Sequence, residues 1–142
     1  MSEQALTQVA RAFVEAFNAS DWERSRAAMS PDSLYDEVGT SRTLRGVGEI
    51  IACFEGWKQA MADVTGTVTN ACATGNTVLL EVTWNGTHTG PLQGPSGTIP
   101  ATGKRQATRS SWVMSFEGGK IRESRHYFDM LSFMQQLGVL GR

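Results

Sequence analysis

Hydrophobic residues in the first part of the chain recur every three or four positions, which is the period of an α-helix. This spacing predicts a helix over residues 4–19, a short helix over residues 22–29 and a third helix over residues 47–61. Ser20 or Asp21 is suited to cap the second helix, because a short polar side chain accepts a hydrogen bond from the first turn. We expect the first two helices to pack as a hairpin.

Beyond residue 61 the chain is rich in Thr, Val and Gly, and the pattern changes to that of β-strands. The predicted strands cover residues 33–38, 64–73, 77–88 and 104–116. A tight turn at Gly75-Asn76 joins two of them into a hairpin. Residues 90–103 are rich in Gly and Pro, and we interpret them as a mobile flap at the open end of a curved sheet.

The last predicted strand carries polar side chains on both of its faces. It ends at Asp129, where an amphipathic helix over residues 129–137 is predicted to begin. Because successive strand residues point to opposite faces, Arg125, Tyr127 and Asp129 share one face. His126 lies on the other. Such a row of charges indicates either a site inside a concave surface or a strand facing solvent, and both alternatives remain open.

The order of the predicted elements indicates an α+β fold, with helices first, then long antiparallel strands, then a short helix. The apolar stripes of the helices need a surface to cover, and a strongly twisted sheet provides one. We therefore expect a cone-shaped barrel, formed by a strongly curved and mostly antiparallel sheet, with the N-terminal helices over its concave face. With 142 residues, the chain is predicted to form one domain over residues 1–142.

Composition and charge exclude several classes of function. A net charge of −1 without a dense basic cluster argues against nucleic acid as a partner. Cys53 and Cys72 lie in no metal-binding or disulfide pattern, so we expect two reduced thiols and no metal site. The N-terminus has no signal pattern and no apolar run reaches membrane-spanning length, so we expect a cytoplasmic protein without a membrane partner.

Several motifs along the chain carry a resemblance to a known family. They are EVTWNGTHTGPL at residues 81–92, IPATGK at 99–104, GKI at 119–121, YFD at 127–129 and QLG at 136–138. With these motifs the chain resembles the SnoaL-like polyketide cyclases. That family belongs to the nuclear transport factor 2-like superfamily, together with ketosteroid isomerase and limonene epoxide hydrolase. The resemblance covers nearly the whole chain, and it implies the cone-shaped fold and a homodimer.

The resemblance also implies a chemistry. Cyclases of this family use an acid at the end of the last long strand as general acid and base, and Asp129 holds that position here. It would move a proton next to a carbonyl group during an aldol ring closure of a small hydrophobic substrate, without metal or organic cofactor. His88, Arg125 and Tyr127 are the candidate hydrogen-bond donors to the enolate oxygen. The alternative is that Asp129 only caps the last helix.

Six further residues are predicted to contact the substrate in the pocket. They are Tyr35, Asp36, Trp57, Trp84, Trp112 and His126. Asp36 and Glu37 are adjacent on a strand, so at most one of them faces the interior. His126 is a possible base from the other face of its strand, although a single strand histidine is more often an ordinary core or surface residue.

Other functions remain open. One is a protein that binds a hydrophobic small molecule without transforming it, and another is a dimerisation module that uses the outer sheet face around Thr83 and Thr87. A third is an epoxide hydrolase or an epoxide-opening cyclase. Limonene epoxide hydrolase resembles this chain around residues 125–129, but it carries an acid where His126 stands, which argues against its mechanism here.

Overall fold

Four helices, a six-stranded sheet and a small separate hairpin make up the part of the chain that the computed structural model describes, residues 1–94 and 97–139. The helices are α1 (Glu3–Asn18), α2 (Trp22–Ala28), α3 (Val47–Ala60) and α4 (Met130–Gln136). The strands are β1 (Met29–Glu37), β2 (Arg42–Arg45), β3 (Thr65–Thr74), β4 (Thr77–Thr87), β5 (Leu92–Gly94), β6 (Gly97–Ile99), β7 (Arg105–Glu117) and β8 (Lys120–Phe128). A 3-10 turn, Val38–Thr40, links β1 to β2.

The large sheet has the strand order β2-β1-β8-β7-β4-β3. All its neighbouring strands are antiparallel except β1 and β8, which run parallel. This arrangement confirms the α+β class and the mostly antiparallel sheet. The sheet is open, with β2 and β3 at its edges, so the predicted closure into a barrel is not confirmed.

The hydrophobic core lies between the helices and one face of the sheet. Phe13 and Phe17 of α1 contact Trp112 of β7 and Trp84 of β4, with ring centroids 5.6 Å and 5.2 Å apart. Phe54 of α3 packs on the same layer, 6.2 Å from Trp112. Aromatic rings bury large apolar areas, so this cluster contributes much of the free energy of folding. Among the described residues, no helix is long and apolar enough to cross a membrane.

Several predicted segments differ from the structure. β1 begins at Met29 rather than at residue 33. Pro31 has no backbone N–H to donate, and the strand accommodates it because the pairing of β1 with β8 is irregular between Met29 and Leu34. The short strand β2 was missed. The segment 90–103 is not a continuous loop, since β5 and β6 pair within it. Pro95 and Ser96, which the predicted flap includes, lie outside the described residues.

The last strand contains a bulge that the sequence did not reveal. Glu123 pairs with Ser115, whereas Ile121 pairs with Phe116, so Arg122 is the extra residue on β8. Strict alternation would place Ile121 on the outer face with Glu123. The bulge instead turns Ile121 inward, and on its far side Ser124 and His126 also face the interior.

Candidate active site

A largely apolar cavity lies between the helices and the concave face of the sheet. Its walls are mainly aromatic, formed by Phe17, Phe54, Trp57, Trp84, Trp112 and Phe128 among others. The free volume is about 60 Å³, which is enough for a few water molecules. Five polar or charged side chains also line it, and they are Tyr35, Glu37, Gln106, Thr108 and His126. Concave, apolar sites with a few convergent polar groups are typical of small-molecule binding.

Tyr35, Glu37 and His126 form a hydrogen-bonded chain in the cavity wall. Tyr35 and Glu37 are two residues apart on β1, so both side chains point inward, and His126 of β8 pairs with Glu37 in register. The Tyr35 hydroxyl lies 3.0 Å from Glu37 Oε2 and 2.8 Å from His126 Nδ1. The parallel pairing of β1 with β8 therefore brings a carboxylate, a phenol and an imidazole together.

Glu37 is a buried carboxylate whose two oxygens accept several hydrogen bonds. Its Oε1 accepts from Thr40 Oγ1 at 2.6 Å and from Arg42 Nε at 2.7 Å, and its Oε2 accepts from Trp57 Nε1 at 3.0 Å. Burial opposes the charge on Glu37, which is 1% exposed, but these donors outweigh it. The pKa of Glu37 is therefore lowered, and the side chain is ionised at neutral pH.

His126 is an uncharged imidazole at neutral pH. Burial lowers its pKa to about 4, although the nearby charge of Glu37 opposes this shift. Its ring stacks on Trp112, with the centroids 4.3 Å apart and the planes 9° from parallel. Its Nε2 lies 2.9 Å from Ser110 Oγ. The same Ser110 oxygen accepts a hydrogen bond from Trp84 Nε1 at 2.9 Å.

The proton positions in this chain follow from the charge of Glu37. An ionised carboxylate can only accept, so the Tyr35 hydroxyl donates to Glu37. We therefore assign the His126 ring proton to Nδ1, from which it donates to the Tyr35 oxygen. Nε2 then carries the lone pair and accepts from Ser110. Burial, reinforced by the charge of Glu37, raises the pKa of Tyr35 well above its ordinary value and keeps the phenol protonated.

Gln106 and Thr108 line another part of the cavity. Both side chains belong to β7 and point to its inner face, and both are more than nine-tenths buried. Thr108 Oγ1 donates to Gln106 Oε1 at 2.5 Å, and Gln106 Nε2 lies 3.4 Å from the sulfur of Met61. These two residues form a polar pair in a wall that is mostly apolar.

The structure separates the substrate-contact residues predicted from sequence into two groups. Tyr35, Trp57, Trp84, Trp112 and His126 line the cavity, and their contact with a substrate stays a prediction. Asp36 does not line it. The alternation along β1 turns Asp36 away and Glu37 inward.

The four predicted catalytic residues are not brought together at the cavity. Asp129 is exposed at the N-terminus of α4, where its carboxylate accepts from Ser132 N at 3.1 Å. Tyr127 is 43% exposed, and Arg125 pairs with Glu123 on the outer face. His88 is fully buried, but its Nδ1 bonds the Thr102 hydroxyl and it is not among the cavity-lining residues. Their catalytic roles stay predictions.

Gln106, Thr108 and Ser110 were not predicted from the sequence, and of the adjacent pair Asp36-Glu37 only Asp36 was predicted to contact the substrate. The pair Asp36-Glu37 was noticed, but its phase depends on how β1 pairs with β8. A signal was available for the others, because Gln106, Thr108 and Ser110 are polar residues at alternate positions leading to Trp112 on a predicted strand.

Comparison with known proteins agrees with this architecture. The model of the SnoaL-like polyketide cyclase family matches residues 7–137. The chain belongs to this family. No curated protein sequence gives a significant match.

Solved structures with low sequence identity share the fold of this SnoaL-like protein. TsrD from Streptomyces laurentii is 22% identical, with 99% of each chain covered and a TM-score of 0.85. A SnoaL-like protein from Jannaschia sp. CCS1 is 17% identical over 99% of this chain and 95% of that chain, with a TM-score of 0.87. IdmH from Streptomyces antibioticus, proposed to be a polyketide cyclase, is 24% identical over 94% of this chain and 99% of that chain, with a TM-score of 0.81.

Homodimer formation and a cytoplasmic location stay predictions.

Proposed function

We propose that the protein binds a small, largely apolar carbonyl compound in the cavity and catalyses a proton-transfer reaction of the cyclase or isomerase type. His126 is the proposed proton acceptor. The observation that carries the proposal is the hydrogen-bonded chain from Glu37 through Tyr35 to His126 in the wall of an aromatic cavity. Membership of the SnoaL-like polyketide cyclase family supports the reaction type.

Glu37 orients the other two groups rather than acting as a base. Each of its oxygens already accepts at least two hydrogen bonds, so no acceptor position is left for a substrate proton. Its charge fixes the Tyr35 hydroxyl, and Tyr35 in turn fixes the ring proton of His126 on Nδ1. A carboxylate that sets the tautomer of a catalytic histidine is a known principle of general base catalysis, here with a phenol in between.

Ser110 controls access to the lone pair of His126. Its hydroxyl lies 2.9 Å from His126 Nε2 and 3.3 Å from the carbonyl oxygen of Val82. A single hydroxyl proton serves one acceptor at a time. When this proton turns to Val82, the lone pair of Nε2 is released, but Ser110 Oγ still lies 2.9 Å from it. Access of a substrate to Nε2 therefore also requires the Ser110 side chain to rotate away.

The proposed reaction conserves protons and electrons. His126 Nε2 takes a proton from a carbon next to a carbonyl group, and the electron pair of the C–H bond moves to the carbonyl oxygen as an enolate. The imidazolium is stabilised by the charge of Glu37. Return of the proton to another carbon gives an isomer. Attack of the enolate carbon on a second carbonyl of the same molecule closes a ring, and the proton then returns to the new alkoxide.

Asp129 remains the competing candidate base, as implied by family resemblance. Its exchange for Asn is a matched test, because Asn also caps helices well. The two hypotheses therefore predict opposite behaviour for the His126→Gln and Asp129→Asn variants.

The experiment uses 2-tetralone, a two-ring ketone with acidic protons beside its carbonyl, and follows solvent deuterium exchange by proton NMR. We expect the wild type to accelerate exchange over buffer, His126→Gln to lose about 100-fold or more of that acceleration, and Asp129→Asn to retain it. Loss in Asp129→Asn with retention in His126→Gln would instead assign the base to Asp129. Binding without accelerated exchange, measured by calorimetry, would make the protein a carrier and overturn the enzymatic proposal.

A further inference from the structure

We propose that Gln106 and Thr108 form a second polar subsite that binds a hydroxyl group of the substrate at a distance from His126. The inference rests on the proposed use of the cavity and adds a feature of the substrate, namely an apolar ring body with a hydroxyl remote from the reacting carbon. Three arguments support it. They are the incomplete hydrogen bonding of Gln106, the fit of a hydroxyl group to the donor and acceptor of the pair, and the position of the pair on β7.

The hydrogen bonding of Gln106 is incomplete in a way that favours a ligand. The side chain is 4% exposed, and Thr108 beside it is 7% exposed. A thioether sulfur can only accept, so the amide NH₂ of Gln106 faces Met61, and the amide oxygen accepts from Thr108. Sulfur is a weak acceptor, and the described contacts engage one of the two amide protons. Burying an amide with so weak a partner is costly unless something else binds it.

A hydroxyl group is the chemical match for this pair. Gln106 offers an N–H donor, and Thr108 Oγ1 offers lone pairs because its own proton is directed to Gln106. A substrate hydroxyl accepts from the first and donates to the second. A carbonyl oxygen satisfies only the donor, and an apolar group satisfies neither. The subsite therefore distinguishes a hydroxylated ring from an unsubstituted one.

The position of the pair along β7 sets its distance from the proposed base. Gln106, Thr108 and Ser110 alternate on the inner face of the strand, and Ser110 is hydrogen-bonded to His126. At a rise of about 3.3 Å per residue, Thr108 lies about 7 Å and Gln106 about 13 Å along the strand from Ser110. Trp84 pairs with Thr108 in register and lines the cavity between the two polar regions. A flat ring system matches this aromatic surface and spans the distance. Because the free volume of about 60 Å³ is smaller than two fused rings, the aromatic side chains must move apart to admit it.

The test compares 2-tetralone with 6-hydroxy-2-tetralone, which carries a hydroxyl at the end of the ring system opposite the ketone. Binding of each ketone is measured by calorimetry, and deuterium exchange beside the carbonyl is measured by NMR. We expect the wild type to bind the hydroxylated ketone about tenfold more tightly, which is the effect of one good hydrogen bond. At low ketone concentration, the exchange rate of the hydroxylated ketone should exceed that of 2-tetralone by the same factor.

Gln106→Met removes the amide and keeps a side chain of similar size, and in this variant the preference should fall to about one. The matched control is Gln135→Met, which changes an exposed glutamine of α4 and should keep the tenfold preference. Thr108→Val, of nearly equal volume, is the second variant and should also lose the preference. It keeps the proposal testable if Gln106→Met does not fold.

The outcomes separate the subsite from the proposed reaction. Equal binding of the two ketones by the wild type, or an unchanged preference in both cavity variants, overturns the subsite even if exchange is accelerated. A tenfold preference that both variants lose supports the subsite even if no exchange occurs, in which case only the proposed reaction fails. Absence of binding of either ketone overturns both.

Discussion

Replacing Glu37 with Gln tests whether burial, rather than the length of an ion pair, determines how much a carboxylate stabilises this fold. The carboxylate accepts from Thr40 and Arg42 on one oxygen and from Trp57 and Tyr35 on the other. An amide accepts on one side only and presents N–H groups to the other. Two hydrogen bonds are therefore lost, and two donors face another donor.

The structure sets the expected magnitude. A buried donor left without an acceptor costs about 1–3 kcal/mol, so two of them cost about 2–6 kcal/mol. The side chain of Arg42 is 39% exposed and can regain water. Tyr35 can donate to His126 Nδ1 once the ring proton moves to Nε2, so we expect the lower half of this range. The predicted loss in the free energy of unfolding for Glu37→Gln is about 3 kcal/mol, measured by urea denaturation at pH 7.

Glu117→Gln is the matched control. Arg122 and Glu117 form an ion pair of 2.6 Å, slightly shorter than the 2.7 Å between Arg42 and Glu37, but their side chains are 52% and 70% exposed. Exposed pairs of this kind are worth less than about 1 kcal/mol. Equal losses in the two variants would refute the argument that Glu37 is held by a buried set of donors.

Three further predictions concern stability. Burial lowers the pKa of His126 to about 4 from an unfolded value of 6.5, so the unfolded chain binds a proton in this range and the folded protein does not. The free energy of unfolding should therefore be unaffected by this group above pH 6.5 and should fall by about 3 kcal/mol between pH 6.5 and 4. Urea titrations should show this loss reduced in His126→Gln. A Cβ on Gly39 would lie 2.5 Å from the ring of Phe128, so Gly39→Ala should cost about 1–3 kcal/mol in the wild type and clearly less in a Phe128→Leu background. Asp129→Ala should lower the free energy of unfolding by about 1 kcal/mol through loss of the cap, whereas Asp129→Asn should cost little.

Each of these predictions has a contradicting result. A flat stability between pH 6.5 and 4, or an unchanged slope in His126→Gln, would show that the imidazole is not kept neutral by burial. Equal costs of Gly39→Ala in both backgrounds would mean that contact with the Phe128 ring is not the cause. Equal costs of the Asn and Ala variants at residue 129 would show that the cap contributes nothing.

Sequence reasoning predicted the elements whose periodicity is long and regular. The helices α1 and α3 and the strands β4 and β7 were found within one or two residues of their bounds, because each carries several apolar positions at its own period. The short strands β2, β5 and β6 were missed. A strand of three or four residues shows too little alternation to be distinguished from a loop, and its existence depends on the neighbour with which it pairs.

The part of the candidate site that lies on elements with a long, regular pattern was predictable from the sequence. Trp57, Trp84 and Trp112 were expected in the pocket, and they line the cavity. The choice between Asp36 and Glu37 was not predictable, because a shift of one residue in the β1–β8 pairing exchanges their faces. The inner face of β8 was equally undetermined, since the bulge at Arg122 changes the phase of the strand.

The most direct test of the proposed proton-accepting role is the tautomer of His126, measured by nitrogen-15 NMR of protein labelled at histidine. The chain has only two histidines, and His126→Gln assigns the spectrum. We predict a neutral ring from pH 7 down to about pH 5, with the proton on Nδ1 and the lone pair on Nε2. In Tyr35→Phe, where the link to Glu37 is absent, this preference should weaken. A proton on Nε2, or a charged ring at pH 6.5, would contradict the assignment of His126 as the proton acceptor.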